Sequence, residues 1–229
     1  MRIVIGAVLT GRVAPLGGGK ATSAIAKTSV EGPVAVGPLG LSGDAQADRR
    51  FHGGLDKAVH HYALDHAAAW RAELPGLPDL LERPGAFGEN ISTHGLTEHD
   101  VCVCDLWRVG SALLQVSQAR QPCFKLNLRF GVPDMARRVQ ASGRTGWYYR
   151  VIEEGFVAAG EALDLVERPH PDWPLSRLLH HLYVDRLDAA ALREIAGLAT
   201  LAESWRSLAA RRLASGAVED WRRRLGEEG

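Results

Sequence analysis

Apolar and polar positions alternate with a two-residue period through most of the first 165 residues, in short runs separated by glycine and proline. That period places alternate side chains on one face of a strand. The spacing predicts strands over Ile3–Leu9, Ser23–Val30, Val101–Cys104, Ala112–Ser117 and Trp147–Ile152. Helical signals are sparse in this part. Leu64–Leu74, closed by Pro75-Gly76, is one, and Asp134–Ala141, between Pro133 and Gly143, is another.

The texture changes at Arg168-Pro169-His170-Pro171-Asp172-Trp173-Pro174, where three prolines stiffen the chain. Beyond it, Leu175, Leu178, Leu179 and Leu182 recur at the spacing of one helix face. Asp188 is placed to cap a second helix, with Leu187 stapled onto Leu192 and Ile195 continuing the buried face. Thr200 and Glu203 have capping-box spacing for a third helix that turns Trp205, Leu208 and Ala209 inward and stops at Gly216, and Val218, Trp221 and Leu225 mark a last turn. The expected fold is therefore α+β and mainly β, with a β-barrel-like domain over residues 1–168 and a helical bundle over 172–229. So small a bundle does not hold itself together and should dock on the barrel or on a second subunit, which makes a homodimer possible. All the chemistry-bearing segments precede the linker, so a chain ending near Pro169 is expected to fold and keep its site.

Composition narrows the class. With 46% hydrophobic and 24% charged residues, 229 residues can bury an ordinary core. The 27 basic and 27 acidic residues cancel, so no overall field draws nucleic acid or an anionic membrane. No segment approaches the about 20 apolar residues that span a bilayer. The arginines of the tail, Arg206, Arg211, Arg212 and Arg222–Arg224, alternate with acids and read as a solvated helix face. Three cysteines without a C-x-x-C pair argue against a disulfide framework, a zinc ribbon and an iron–sulfur cluster, and point to a reducing, cytoplasmic compartment.

Cys123 follows a strand and Pro122, between Arg120 and Lys125, whose charges would favour thiolate, the form that binds metal or attacks electrophiles. A small buried apolar side chain fits the same local sequence. Cys102 and Cys104, two apart on an expected strand, read as core. The segment Arg49–Tyr62 joins Arg49, Arg50, His52 and Lys57 to the Gly53-Gly54 pair, which lets backbone approach an anion that those side chains can neutralise, although the phosphate-loop spacing is missing. His60 and His61 are adjacent and point oppositely in a strand, so His52 is the histidine kept as a candidate. Phe87-Gly88-Glu89-Asn90 offers a carboxylate and an amide either to a heterocycle edge or to its own turn.

In order, Ser23-Ala24-Ile25 with Lys27, Gly40-Leu41 with Gly43-Asp44, His52-Gly53-Gly54, Gly88-Glu89-Asn90, Gly95-Leu96-Thr97-Glu98, Gln115-Val116-Ser117-Gln118, Pro122-Cys123 and Gly146-Trp147-Tyr148 resemble the MOSC family, named for the C-terminal domain of molybdenum cofactor sulfurase. The helices after Pro174 resemble the three-helix extension of its YiiM-type branch. Two positions depart from the family pattern: Ala119 stands where proline is expected and Cys104 where glycine is expected. The resemblance implies a barrel that binds the molybdenum cofactor, Mo-molybdopterin, with Cys123 as the protein's metal ligand. It makes Ser23, Lys27, Arg50, His52, Asn90, Arg120 and Lys125 candidates for holding the pterin and its phosphate, and His52 a candidate proton donor.

The implied reaction is reduction of N-hydroxylated bases of the hydroxylaminopurine type to amines, a detoxification of mispairing base analogues. No flavin or nicotinamide fingerprint is present, so electrons would come from a separate reductase partner. A sulfur or cofactor carrier using Cys123, and a metal-free Cys123–His52 enzyme, are the alternatives.

Overall fold

The structure is a computed structural model and describes residues 2–48 and 53–227. Arg50 and His52, both candidates above, lie outside the described residues.

Seven strands close a barrel. Around it run β13 (Ala162–Glu167), β9 (Leu106–Val109), β10 (Ala112–Ala119), β11 (Trp147–Glu153), β7 (Val59–Ala63), β8 (Ile91–Thr93) and β1 (Arg2–Thr10), and β1 pairs back onto β13. The β7–β8 pair is parallel, while the other barrel pairs are antiparallel. Closure leaves no edge among these seven. The short β4 (Thr28–Ser29) adds to β1 outside the ring. A hairpin of β2 (Ala14–Leu16) and β3 (Ala21–Ser23) and a small sheet of β5 (Val34–Gly37), β6 (Gly40–Leu41) and β12 (Gly155–Val157) complete the strands.

The first strand, Ala112–Ser117 and Trp147–Ile152 fall where the two-residue period puts them, each extended by a residue or two. Two expected strands do not form as read. Ser23–Val30 is broken into the end of β3 and the two residues of β4. Val101–Cys104 is a turn rather than a strand, with Cys104 in the left-handed region at φ 66°. This is the position where the family pattern has glycine, the residue to which that conformation comes without steric cost. Cys102 and Cys104 are buried as expected.

Leu64–Leu74 becomes one 3-10 turn followed by α1 (Ala67–Glu73), with a short α2 (Pro78–Leu81) after it. The apolar-periodic Lys125–Phe130, not singled out from the sequence, forms α3, and α4 (Met135–Ser142) follows, stopped by Gly143 at φ 71°.

The tail packs on the barrel. Leu175, Leu178, Leu179 and Leu182 of α5 (Leu175–Tyr183) and Leu192 and Ile195 of α6 (Ala189–Gly197) are buried in one continuous core with Val101, Val103, Trp107 and Val116. Main-chain bonds stitch the seam: Val103 N–H donates to Trp173, Leu175 N–H to Val101, and Ala202 N–H to Ser117. The Asp188 carboxylate caps α6 by accepting from the N–H groups of Ala190 and Ala191, whereas Leu187 is exposed and staples nothing. Ala202 rather than Thr200 precedes α7 (Glu203–Ser215), because the Thr200 hydroxyl is spent on the Cys104 sulfur. The last turn, α8 (Arg222–Leu225), crosses back to the barrel side. Of the tail arginines read as solvated, Arg212 is instead buried against Glu219 and the carbonyl of Leu182.

Candidate functional site

A cleft opens beside the barrel where β3, the loop after β6, β7, the Gly88 turn and the end of β10 converge. Its lining includes Ser23, Lys27, Asn90, Arg120, Cys123 and Lys125, so every described candidate comes to one place. Lys57, His60 and Tyr148 also face it.

The cysteine sits in the five-residue link, 120–124, between β10 and α3. Upstream, Arg120 N–H donates to the Gly146 carbonyl at 2.9 Å, which ends β10. Downstream, the Cys123 carbonyl accepts from Leu126 N–H at 2.9 Å and opens α3. The thiol is therefore presented at a strand-to-helix turn, half-buried, while the other two cysteines are fully enclosed. Lys57 and Tyr148 lie close enough to Cys123 to interact with it electrostatically. Burial pushes the Lys57 ammonium down, with Asp56 and Cys123 acting in the opposite sense.

Four cations, Lys27, Lys57, Arg120 and Lys125, line the cleft. Lys27 is answered by Asp44, its ammonium 2.5 Å from a carboxylate that is 1% exposed. Burial lowers the Lys27 pKa and Asp44 opposes that shift. Asp44 is itself held by Gly11 N–H at 2.8 Å and the Asn90 amide at 2.9 Å. The Asn90 amide also donates to the Leu9 carbonyl and its oxygen accepts from His60 N–H. Each polar atom of Asn90 thus has a protein partner, and its work is to hold Asp44 and join β7 to β8. Glu89, offered to a heterocycle in the sequence reading, accepts from Gly85 N–H, Phe87 N–H and the Ser92 hydroxyl. Its turn consumes it. Ser23 accepts from Ile25 N–H at 3.2 Å.

Arg120 differs from these. The residue is 6% exposed, and its Nη1 is buried without a hydrogen-bond partner. A buried guanidinium nitrogen left unpaired is costly, and an anion in the cleft would remove the cost.

Adjacent histidines diverge as the strand requires. His61 points into the barrel, within 3.0 Å of the Tyr149 hydroxyl and 2.8 Å of the Thr93 hydroxyl. His60 faces the cleft, its ring 4.9 Å from that of Tyr148. Burial, then the Arg120 charge, holds the His60 pKa well below the usual imidazole range, so the ring is neutral near pH 7. The sequence reading set His60 aside. Its signal was present only as position: the strand period faces it away from His61, but nothing local says which of the two faces meets the cations. Lys57 was read as one of the cations of the Arg49–Tyr62 segment but not kept as a site residue, and Asp44 appeared only within a matched motif, because they arrive from separate loops.

The family profile described as MOSC domain matches residues 48–164, and that described as YiiM-like, 3-alpha helix domain matches residues 173–216. Protein YiiM of Escherichia coli is 41% identical over 218 residues, covering 95% of this chain and 96% of that one. Its crystal structure superposes with a TM-score of 0.83 at 36% identity, covering 98% of each chain. A protein named Reductase from Gibberella moniliformis is 45% identical over 157 residues, which are 68% of this chain and 28% of the fungal protein. On the extent of these matches, barrel and tail together, the chain belongs to the MOSC domain family and to its branch with a YiiM-like three-helix domain.

Proposed function

We propose that this protein is a molybdenum-cofactor-dependent reductase of N-hydroxylated bases, with Cys123 as the metal's protein ligand. The observation that carries the reading is a half-exposed thiol at the rim of a cleft with four cations, one of them a buried arginine with an unpaired nitrogen. An anionic, phosphate-bearing pterin with a thiophilic metal matches that donor set. The fungal relative named Reductase adds support for the reaction class, over the part of its length that matches.

When bound, the cofactor supplies the two-electron reduction of an N–OH group to an amine. The chain's own residues bind and orient. Arg120, Lys57 and Lys125 offer charge to phosphate, and Cys123 offers a soft ligand. His60, neutral and buried, lines the pocket as a hydrogen-bonding surface rather than a cation. Loss of the hydroxyl oxygen as water needs a proton, and His52 of the His52-Gly53-Gly54 motif is the group we assign to donate it. Electrons come from a separate reductase protein, and the work is removal of mispairing base analogues in the cytoplasm.

The test is molybdenum and pterin content, with hydroxylaminopurine reduction, of protein made in a host that synthesises the cofactor. Wild type should carry near-stoichiometric molybdenum and Cys123→Ser should lose turnover while its fold, read by circular dichroism, is unchanged. Wild-type turnover and full molybdenum in Cys123→Ser would remove the ligand assignment. A carrier would bind the cofactor, release it to an acceptor enzyme and reduce nothing.

A further inference from the structure

The last helical turn of the chain grips both neighbours of the cysteine. The Arg224 guanidinium donates through Nη1 to the carbonyl of Pro122, the residue before Cys123, and through Nη2 to Gln140 of α4. The Arg224 carbonyl accepts from the N–H of Phe124, the residue after it, at 2.8 Å. One turn therefore bonds the main chain on either side of the thiol. Asn127 of α3 donates to the Leu225 carbonyl at 2.8 Å. Gly226, at φ 77°, lies so close that a Cβ there would stand 2.8 Å from the Phe124 Cβ. The Arg224 side chain is fixed from behind by the rings of Tyr183 and Trp221, 6.0 and 5.9 Å from its guanidinium carbon.

We infer that Arg224 and the turn it closes are a latch that positions Cys123, so that the three-helix tail forms part of the cleft's working geometry. The link between β10 and α3 has few bonds of its own. Without α8, the Pro122 carbonyl and Phe124 N–H would both turn to water, and the thiol would sample orientations away from the cations. Arg224 acts through the backbone and does not line the cleft, so it is a positioning residue. The inference rests on Cys123 being the working group of the cleft, as proposed above.

The test labels thiols in the metal-free protein with iodoacetamide and reads each cysteine by peptide mass spectrometry. Buried Cys102 and Cys104 are internal controls, because general loosening accelerates all three sites. Arg224→Ala should label Cys123 about fivefold faster, the population change brought by one lost hydrogen bond, with Cys102 and Cys104 unchanged. Gly226→Ala, which pushes the turn off Phe124 from an exposed position, should do the same, and Arg224→Lys should recover part of the protection. Arg223→Ala removes the same charge from an exposed place on the same turn and should label like wild type.

Wild-type labelling in both Arg224→Ala and Gly226→Ala overturns the latch. So does equal acceleration in Arg223→Ala, or parallel acceleration at all three cysteines. Wild-type turnover and full molybdenum in Cys123→Ser would instead sink the ligand assignment and leave the latch standing, since the labelling needs no metal.

Discussion

Lys27 and Asp44 show how far a single residue's role depends on what it meets. From the sequence, Lys27 is one cation among several for a phosphate. In the fold it is 8% exposed and neutralises a carboxylate that is 1% exposed. Removing it leaves an uncompensated buried charge, so Lys27→Ala should cost about 3 kcal/mol of stability or more, measured by urea unfolding. Adding Asp44→Asn should return part of that loss. If Lys27→Ala were as stable as wild type, the pair would not be the buried one described. Arg120, with its unpaired nitrogen, is then the cleaner probe of anion retention. Cys123, Arg120 and Lys125 were legible because they crowd into six residues of sequence. Asn90 was legible as a place but not as a role, since its partners lie 46 and 81 residues away.

At the scale of elements, the two-residue period found the long barrel strands and missed what broke them. Val101–Cys104 alternates like a strand, yet its groups bond to Trp173, Pro174 and Asp105, and Cys104 turns left-handed. Tertiary partners outweighed local pattern there. The same holds for Thr200, whose capping-box spacing lost to a buried sulfur. Gly146 joins β11 to the site: its N–H donates to Glu98 at 2.6 Å and its carbonyl ends β10 at Arg120. It sits at φ 70°, and a Cβ there would overlap the His61 carbonyl. Gly146→Ala should therefore cost about 2 kcal/mol or more and displace Arg120, lowering anion retention together with stability. Unchanged unfolding midpoints would show that the β7–β11 junction has room the structure does not give it.

Over the whole molecule, barrel and tail share one core. The proline-rich stretch was read as a linker with the chemistry all before it, but it bonds directly to the Val101–Cys104 turn. A chain ending near Pro169, expected from the sequence to keep its site, would lack the α8 bonds to Pro122 and Phe124. The shared interior also sets an acid limit. Burial lowers the pKa of His61 to about 3 and drives that of His60 well down. The unfolded chain, with ordinary imidazoles near pH 6.5, binds those protons first. Stability is therefore full above about pH 6.5 and falls as the pH drops, by roughly 1.4 kcal/mol per unit for each histidine. Urea unfolding between pH 7 and pH 5 should show the slope, and His61→Gln should reduce it by one histidine's share. A flat profile would mean that the rings are protonated inside the barrel.

Closure of the barrel through β1 and β13 also sets an order in time. Arg2 pairs with Asp164, so the first strand leaves the ribosome with no partner from the far side of the ring until 162 more residues have been made. At bacterial or eukaryotic synthesis rates that is on the order of ten seconds or more, during which the Arg2–Val4 stretch of the strand is open to other chains. The turn that grips the cysteine, Arg222–Leu225, is made later still than Asp164. A chain that has not yet made both segments can thus hold neither a closed ring nor a fixed thiol, and whatever the cleft receives is held in its final geometry only once α8 has followed β13.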